Sequence, residues 1–158
     1  MVFESRYLDA DLLRCWRAFI AMSEMLEGRL NQNLRSVGMS HADYTMLILL
    51  SEADGHRLGL SELGNEAQWS KSRISHQIRR MQDRGLVRRL EDPEDPRRAI
   101  AVLTPEGLTA LEKAAPVHLS AVRKDFLDHL SPLQREQLED IARTVLPHLG
   151  PLPPGFED

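Results

Sequence analysis

Between Ser70 and Arg89 the chain presents hydrogen-bond donors at helical spacing with almost no acid among them. Lys71, Arg73, Arg79, Arg80, Arg84, Arg88 and Arg89 stand against a single carboxylate, Asp83, so residues 71–89 carry +6. The whole chain carries −4 at pH 7, which leaves −10 on everything else. The chemistry of such a set is recognition. Guanidinium and ammonium groups pair with phosphate oxygens, and arginine, imidazole and amide side chains hydrogen-bond to base edges. Ser70, Ser72 and Ser75 are short enough to let the backbone approach a partner closely. A charge run on a helix is usually a solvated face, but a solvated face normally interleaves acids, and this one does not.

A helix over Lys71–Asp83 places these groups. Ser70 suits its N-cap, Gly85 ends it, and Ile74, Ile78 and Met81 form its inward stripe. Lys71, Ser72, Arg73, Ser75, His76, Gln77, Arg79 and Arg80 are then left outside. Arg73, His76 and Gln77 are expected at base edges, with Arg80 and Arg84 at phosphates. A short helix over Leu60–Glu66, started near Ser61, precedes a turn. Leu86-Val87 opens a strand that fades into Arg88-Arg89-Leu90-Glu91, and Ala99–Leu103 reads as a second strand. Between them Pro93 and Pro96 exclude regular structure. The order helix, turn, helix, strand, charged tip, strand describes a helix-turn-helix with a β-hairpin wing. Arg97 and Arg98 flank the tip, where a narrow, electronegative minor groove attracts arginine, and Asp95 is placed to brace Arg97.

Long helices flank this unit. Leu12, Cys15, Trp16, Phe19, Ile20, Met22, Leu26, Leu30 and Leu34 recur at helical spacing from Leu8 to about Val37, and Gly38 fits the end of that helix. Ser40 caps a second helix that buries Tyr44, Leu47, Ile48 and Leu50. Thr104-Pro105 opens a helix to about Leu130, kinked near Pro116, and Ser131 with Gln134 caps a last one. Its apolar positions Leu133, Leu138, Ile141, Val145, Leu146 and Leu149 require a partner surface. The expected fold class is mainly α with a small β-hairpin wing: a winged helix-turn-helix flanked by long dimerisation helices. Its expected divisions are 1–38 and 105–150 for dimerisation, 40–104 for DNA binding, and a frayed tail over 151–158.

Catalysis is not expected. The 6 histidines are dispersed, without an HExxH pair or metal spacing, and there is no glycine-rich phosphate loop or GxSxG elbow. No cofactor and no metal are expected. One cysteine, Cys15, cannot build an intrachain disulfide framework. With no signal peptide and no apolar run long enough for a bilayer, a cytoplasmic protein without membrane association is expected. A winged helix used only to bind other proteins is the competing reading; such modules usually lose the basic face.

Five segments together resemble the MarR family of bacterial transcription regulators: Ser61-Glu62-Leu63, Ser70 through Met81, Gly85-Leu86-Val87-Arg88-Arg89, Asp95-Pro96-Arg97-Arg98, and Leu103-Thr104-Pro105-Glu106-Gly107. The resemblance is strong over about residues 40–110; the flanking helices agree by length and position. It implies a homodimer on a double-stranded, pseudo-palindromic DNA operator, acting as a repressor. It also implies a wing-tip arginine at Arg97 with Asp95 as its acidic partner. Arg98 sits where the family varies, so a phosphate contact is expected for it. The resemblance further implies release from DNA by a small aromatic or phenolic effector, for which Trp16, Phe19, Tyr44 and His118 are the candidate contacts. Against that stands the ordinary reading of Trp16, Phe19 and Tyr44 as core and of His118 as a structural hydrogen-bonding group. One subgroup of the family senses peroxide through a cysteine near Cys15, steadied by tyrosines; the corresponding positions here hold Phe19 and Arg29. A buried, inert thiol is therefore expected, with a redox-responsive regulator as the alternative.

Overall fold

The structure is a computed structural model and describes residues 7–91 and 98–152. Six helices and three strands follow in the order α1 (Ala10–Arg35), α2 (His41–Glu52), β1 (Arg57–Gly59), α3 (Leu60–Glu66), α4 (Lys71–Asp83), β2 (Val87–Glu91), β3 (Ala99–Leu103), α5 (Pro105–Asp125) and α6 (Pro132–Val145). Short 3-10 turns over Asp54–His56, Leu127–His129 and Leu146–His148 complete the described chain. A mainly helical fold with one small antiparallel sheet is thus observed, as the sequence predicts.

Side-chain caps set the helix boundaries. The Asp9 carboxylate accepts from the backbone N–H groups of Asp11 and Leu12 and starts α1. Ser40 and Asp43 form a reciprocal capping box at α2, and Ser131 and Gln134 form another at α6. Glu62 accepts from the Gly59 N–H at 2.9 Å to start α3. Beyond α4, Gly85 takes φ 73°, which lets the Leu86 N–H turn back to the Met81 carbonyl at 3.0 Å. The Thr104 hydroxyl accepts from the Gly107 N–H and donates toward the Gly85 and Leu86 carbonyls, so one residue caps α5 and ties it to the start of β2. Gly107 is required there, because a Cβ would lie 2.0 Å from the Leu86 carbonyl oxygen. α5 continues through Pro116 and stops at Asp125, five residues short of the expected end, where Phe126 leaves helical conformation at φ −136°.

The sheet has strand order β1-β3-β2. Its hairpin pairs Val87 with Leu103 and Glu91 with Ala99. β1 pairs antiparallel with the other edge of β3, Arg57 opposite Val102 and Gly59 opposite Ile100. The sequence reading missed β1: three residues carry too little alternation to read as a strand, and pairing with β3 makes it one.

The core lies beneath this sheet. Leu34 from the end of α1, Met46, Leu47 and Leu50 from α2, Leu63 from α3, and Ile74, Ile78 and Met81 from α4 are fully enclosed. Val87, Ala101, Leu103, Leu111 and Ala114 complete the cluster from the sheet and α5. The rest of the helical frame is different. α6 buries none of its residues, and most of the apolar stripe of α1 is open.

Candidate nucleic-acid interface

The turn between α3 and α4 positions the basic helix. Gln68 adopts φ 55°, and the Trp69 N–H reaches back to the Gly64 carbonyl at 2.8 Å. Gly64 admits this crossing, since a Cβ there would meet the Trp69 carbonyl oxygen at 3.2 Å. The Trp69 ring packs half-buried against the core, and the Ser70 hydroxyl accepts from the Arg73 N–H at 3.3 Å. The Arg73 guanidinium then stacks over the Trp69 ring, 3.7 Å from its centroid. Cation–π contact fixes part of a long side chain before any partner arrives.

Lys71, Ser72, Arg73, His76, Arg79 and Arg80 are exposed on α4, and Ser75 is half-buried. Lys71 and Ser75 also line a cleft of about 320 Å³ between α4, the start of α3 and the hairpin. Arg89 from β2 and Arg98 just before β3 bring two more cations to it, and Glu62 is the one carboxylate among the described residues that line it. The Gln82 side chain accepts from the Arg89 N–H at 3.2 Å and holds β2 to α4. An anionic backbone matches a cleft with three cations, two of them guanidinium forks, and the Ser61 and Ser75 hydroxyls beside them. Trp69 was not singled out from the sequence; Ser61 and Arg89 were noted there for their motif and charge but given no contact of their own. Trp69 was findable as the apolar residue just before an N-cap, a place where side chains commonly anchor the incoming chain.

Two expected DNA contacts are corrected. Gln77 is only 6% exposed, and its amide donates to the Asp43 carboxylate at 2.7 Å. Arg84 donates to the other oxygen of Asp43 at 2.7 Å and, through its second amino group, to the Gly38 carbonyl at 2.7 Å. Gln77 is thereby withdrawn from the outward face, whereas Arg84 stays exposed with its guanidinium held by acceptors of its own chain. Asp43 itself is buried, and the removal of water pushes its carboxyl upward. The N–H of Ser40, the Arg84 guanidinium and the Ser40 hydroxyl outweigh that, so its pKa falls below 3.8. The expected wing-tip pair Asp95 and Arg97 lies outside the described residues.

The four aromatic candidates separate into two pairs. Trp16 and Phe19 stack on each other at 6.0 Å on an exposed face of α1, not in the core. Tyr44 is buried and meets the His118 ring at 4.4 Å, with His41 6.0 Å beyond. Asn31 marks where α1 meets α2, accepting from the His41 N–H at 3.2 Å, and Phe19 lies about 18 Å up the helix from it. One small ligand does not span that distance within a single chain. The Nδ1 atoms of His41 and His118 are buried without a hydrogen-bond partner among the described residues, so His118 does not make the expected structural hydrogen bond through that atom. Burial, then the neighbouring His41, lowers the His118 pKa; burial, then Glu52, raises that of Tyr44. Cys15 is exposed, not buried as expected, because the face of α1 that carries it is left uncovered by the described residues. Among the described residues no group of three or more histidine, cysteine or acidic side chains is placed to hold a metal, and no helix is long and apolar enough to cross a membrane.

Known proteins place this geometry. Residues 39–99 match the sequence profile of the MarR family. The fold superposes with TM-score 0.86 on Sco3205 of Streptomyces coelicolor, a MarR family transcriptional regulator solved in complex with DNA. That match is 38% identical and covers 92% of this chain and 95% of the other. AbsC from the same organism, also a MarR family transcriptional regulator, gives TM-score 0.85 at 36% identity over 90% and 97% of the two chains. The transcriptional repressor YetL of Bacillus subtilis is 27% identical over 137 residues, 85% of this chain and 82% of its own. The profile runs from α2 through the basic helix and β2, and the two Streptomyces regulators match nearly end to end. The chain belongs to the MarR family: it is a winged-helix, DNA-binding transcription regulator and not an enzyme.

Proposed function

We propose that two copies of this chain pair through α1, α5 and α6 and set their α4 helices into successive major grooves of a pseudo-palindromic operator, repressing the adjacent genes. Residues 1–38 and 105–150 supply the dimer frame and 40–104 the DNA-reading unit. The observation that carries this reading is the exposed basic face of α4 beside the three-cation cleft. Lys71, Ser72, Arg73, Ser75 and His76 read or approach base edges; Arg80, Arg89 and Arg98 hold phosphates; the wing tip brings Arg97 to the minor groove. The dimer follows from need as well as from the exposed helices. One winged helix covers a small footprint, and tight specific binding requires two half-sites. YetL, a repressor, supports the direction of control. Working on DNA, the protein acts in the cytoplasm.

An effector, where one acts, binds at Tyr44 and His118, at the junction of the frame and the reading unit. A phenolic or carboxylate oxygen suits the unpaired imidazole nitrogens there, and the Tyr44 ring supplies an apolar wall.

The test is fluorescence anisotropy with a labelled duplex from the protein's own upstream region, titrated at several salt concentrations against a scrambled competitor. Tight binding that resists the competitor and falls steeply with salt is expected. Weak binding indifferent to sequence and salt refutes the reading. In the same assay Arg97→Ala lowers affinity by about tenfold to a hundredfold with the dimer intact, each tenfold being one well-made polar contact. Unchanged affinity overturns the wing assignment. Small aromatic acids, added last, report whether an effector releases the DNA.

A further inference from the structure

We propose that Asp43 is the positioning residue of the DNA-reading helix: its buried carboxylate latches α4 to the α1–α2 junction and so sets the angle at which the helix meets the duplex. The proposal rests on the DNA-binding reading above and adds to it a residue that touches no DNA.

Three groups converge on this carboxylate. Oδ1 accepts from the Gln77 amide at 2.7 Å. Oδ2 accepts from the Arg84 guanidinium at 2.7 Å and from the Ser40 N–H at 3.0 Å. Asp43 is 2% exposed; its bond with Gln77 is buried and poorly screened, and those with Arg84 and Ser40 are part-buried. Gln77 and Arg84 are seven residues apart, two turns of helix, and therefore grip α4 and its C-terminal cap at two points about 10 Å apart. Arg84 continues to the Gly38 carbonyl at 2.7 Å, in the bend that ends α1. On the other side of the first turn of α2, Asn31 of α1 accepts from the His41 N–H. The dimer frame, α2 and the reading helix are thereby joined by directional bonds.

Apolar packing alone would not fix this angle. Ile74, Ile78 and Met81 hold α4 against the core, but such contacts tolerate small rotations and slides. A carboxylate that must keep two long side chains in register does not. Buried ion pairs contribute little net stability against apolar residues of the same shape, and their better-attested service is to specify one arrangement. Gln77 sits next to His76 and four residues after Arg73, so a rotation of α4 moves both base-facing side chains together.

The test uses the full-length protein, with duplexes that the wild type selects from a random-sequence pool as the specific probe and an unselected duplex as reference. Gln77→Leu, which keeps the bulk and removes the amide, is expected to lower the ratio of specific to unselected affinity about tenfold. Asp43→Ala lowers it further, and the double variant is no worse than Asp43→Ala alone, because both remove one latch. Lys71→Ala combined with Asp43→Ala multiplies instead. Arg84→Gln weakens binding without changing the slope of affinity against salt, whereas loss of a phosphate contact would reduce that slope by about one. A Gln77→Leu protein that selects like the wild type, independent effects of Asp43 and Gln77, or a reduced salt slope in Arg84→Gln overturns the proposal. Should Asp43→Ala fail to fold, Gln77→Leu and Arg84→Gln decide it. A wild type that selects no sequence removes the DNA reading and the latch with it; selection by the wild type with indifferent variants removes the latch alone.

Discussion

α4 and α6 are both short amphipathic helices, started by a serine cap and written with the same apolar period, yet they end in opposite states. In α4 the stripe of Ile74, Ile78 and Met81 is fully enclosed by its own chain. In α6 Leu133, Ile141 and Val145 stand open, Ile141 at 58% exposure, and the first half of α1 repeats this with Leu12, Trp16 and Phe19. A periodic stripe states that a surface must be covered and is silent on what covers it. Where the neighbours arrive from the same chain, as α2, α3, β2 and β3 do for α4, the result is a lobe with its own core. Where none of the described residues arrives, the apolar face is left open to solvent. The reading unit therefore holds itself together, while the helical frame keeps an open apolar face that the proposed dimer would cover.

The sharpest way to break that contrast is to remove one side of it. Cutting after Leu130 deletes α6 and is expected to convert a dimer to a monomer by light scattering, with operator affinity falling by about a hundredfold or more as the second half-site becomes a separate binding event. A truncated protein that remains a stable dimer would mean that the open faces of α6 are not the interface. A matched pair of substitutions refines the point. Ile78→Ala empties a fully enclosed position and should cost roughly 2–5 kcal/mol in thermal or denaturant unfolding. Ile141→Ala should cost well under half of that in the monomer, yet lower the melting temperature most at high protein concentration, where the dimer contributes most, and least at dilute protein. Equal, concentration-independent losses at the two sites would place Ile141 in a core of its own chain.

Much of this contrast was legible before any coordinates. Ser40, Ser70, Thr104 and Ser131 cap the helices expected of them, because a cap is decided within three residues. What was lost depended on distant partners. Gln77 was sorted outward by its chemistry, although at 100° per residue it lies only about 60° from Ile74 on the inward arc of the helix. Its partner Asp43 is 34 residues away and drew no notice in the sequence, where only Ser40 was read as a cap. Arg84 was read as a phosphate contact because a cation at a helix end next to other cations looks like one; the acceptors that claim it come from α2 and the bend at Gly38. Cys15 was read as buried, and Trp16 and Phe19 as effector contacts or core, with nothing in the sequence to show that this face of α1 is open. β1 needed the free edge of β3 to exist at all.

The smallest effect is expected where the two regions meet. His118 of α5 lies against Tyr44 and His41 of α2, and burial, reinforced by His41, holds its pKa below the ordinary 6.5. The unfolded chain then binds its proton more readily than the folded one. The stability tied to neutral His118 is therefore full above about pH 6.5 and is lost as pH falls from there through the lower folded value. Asp43 works in a separate window: its folded pKa lies below 3.8, so its contribution is intact above that pH and is lost only in stronger acid. Between about pH 4.5 and 6.5 the two can be told apart. His118→Phe, which keeps a ring against Tyr44, should flatten the fall of melting temperature across that interval and leave the steeper acid loss in place. Asp43→Asn should do the reverse. If the His118→Phe protein loses stability over the interval as steeply as the wild type, the proton that couples the frame to the reading unit is not bound at His118, and the contact between α5 and α2 is packing alone.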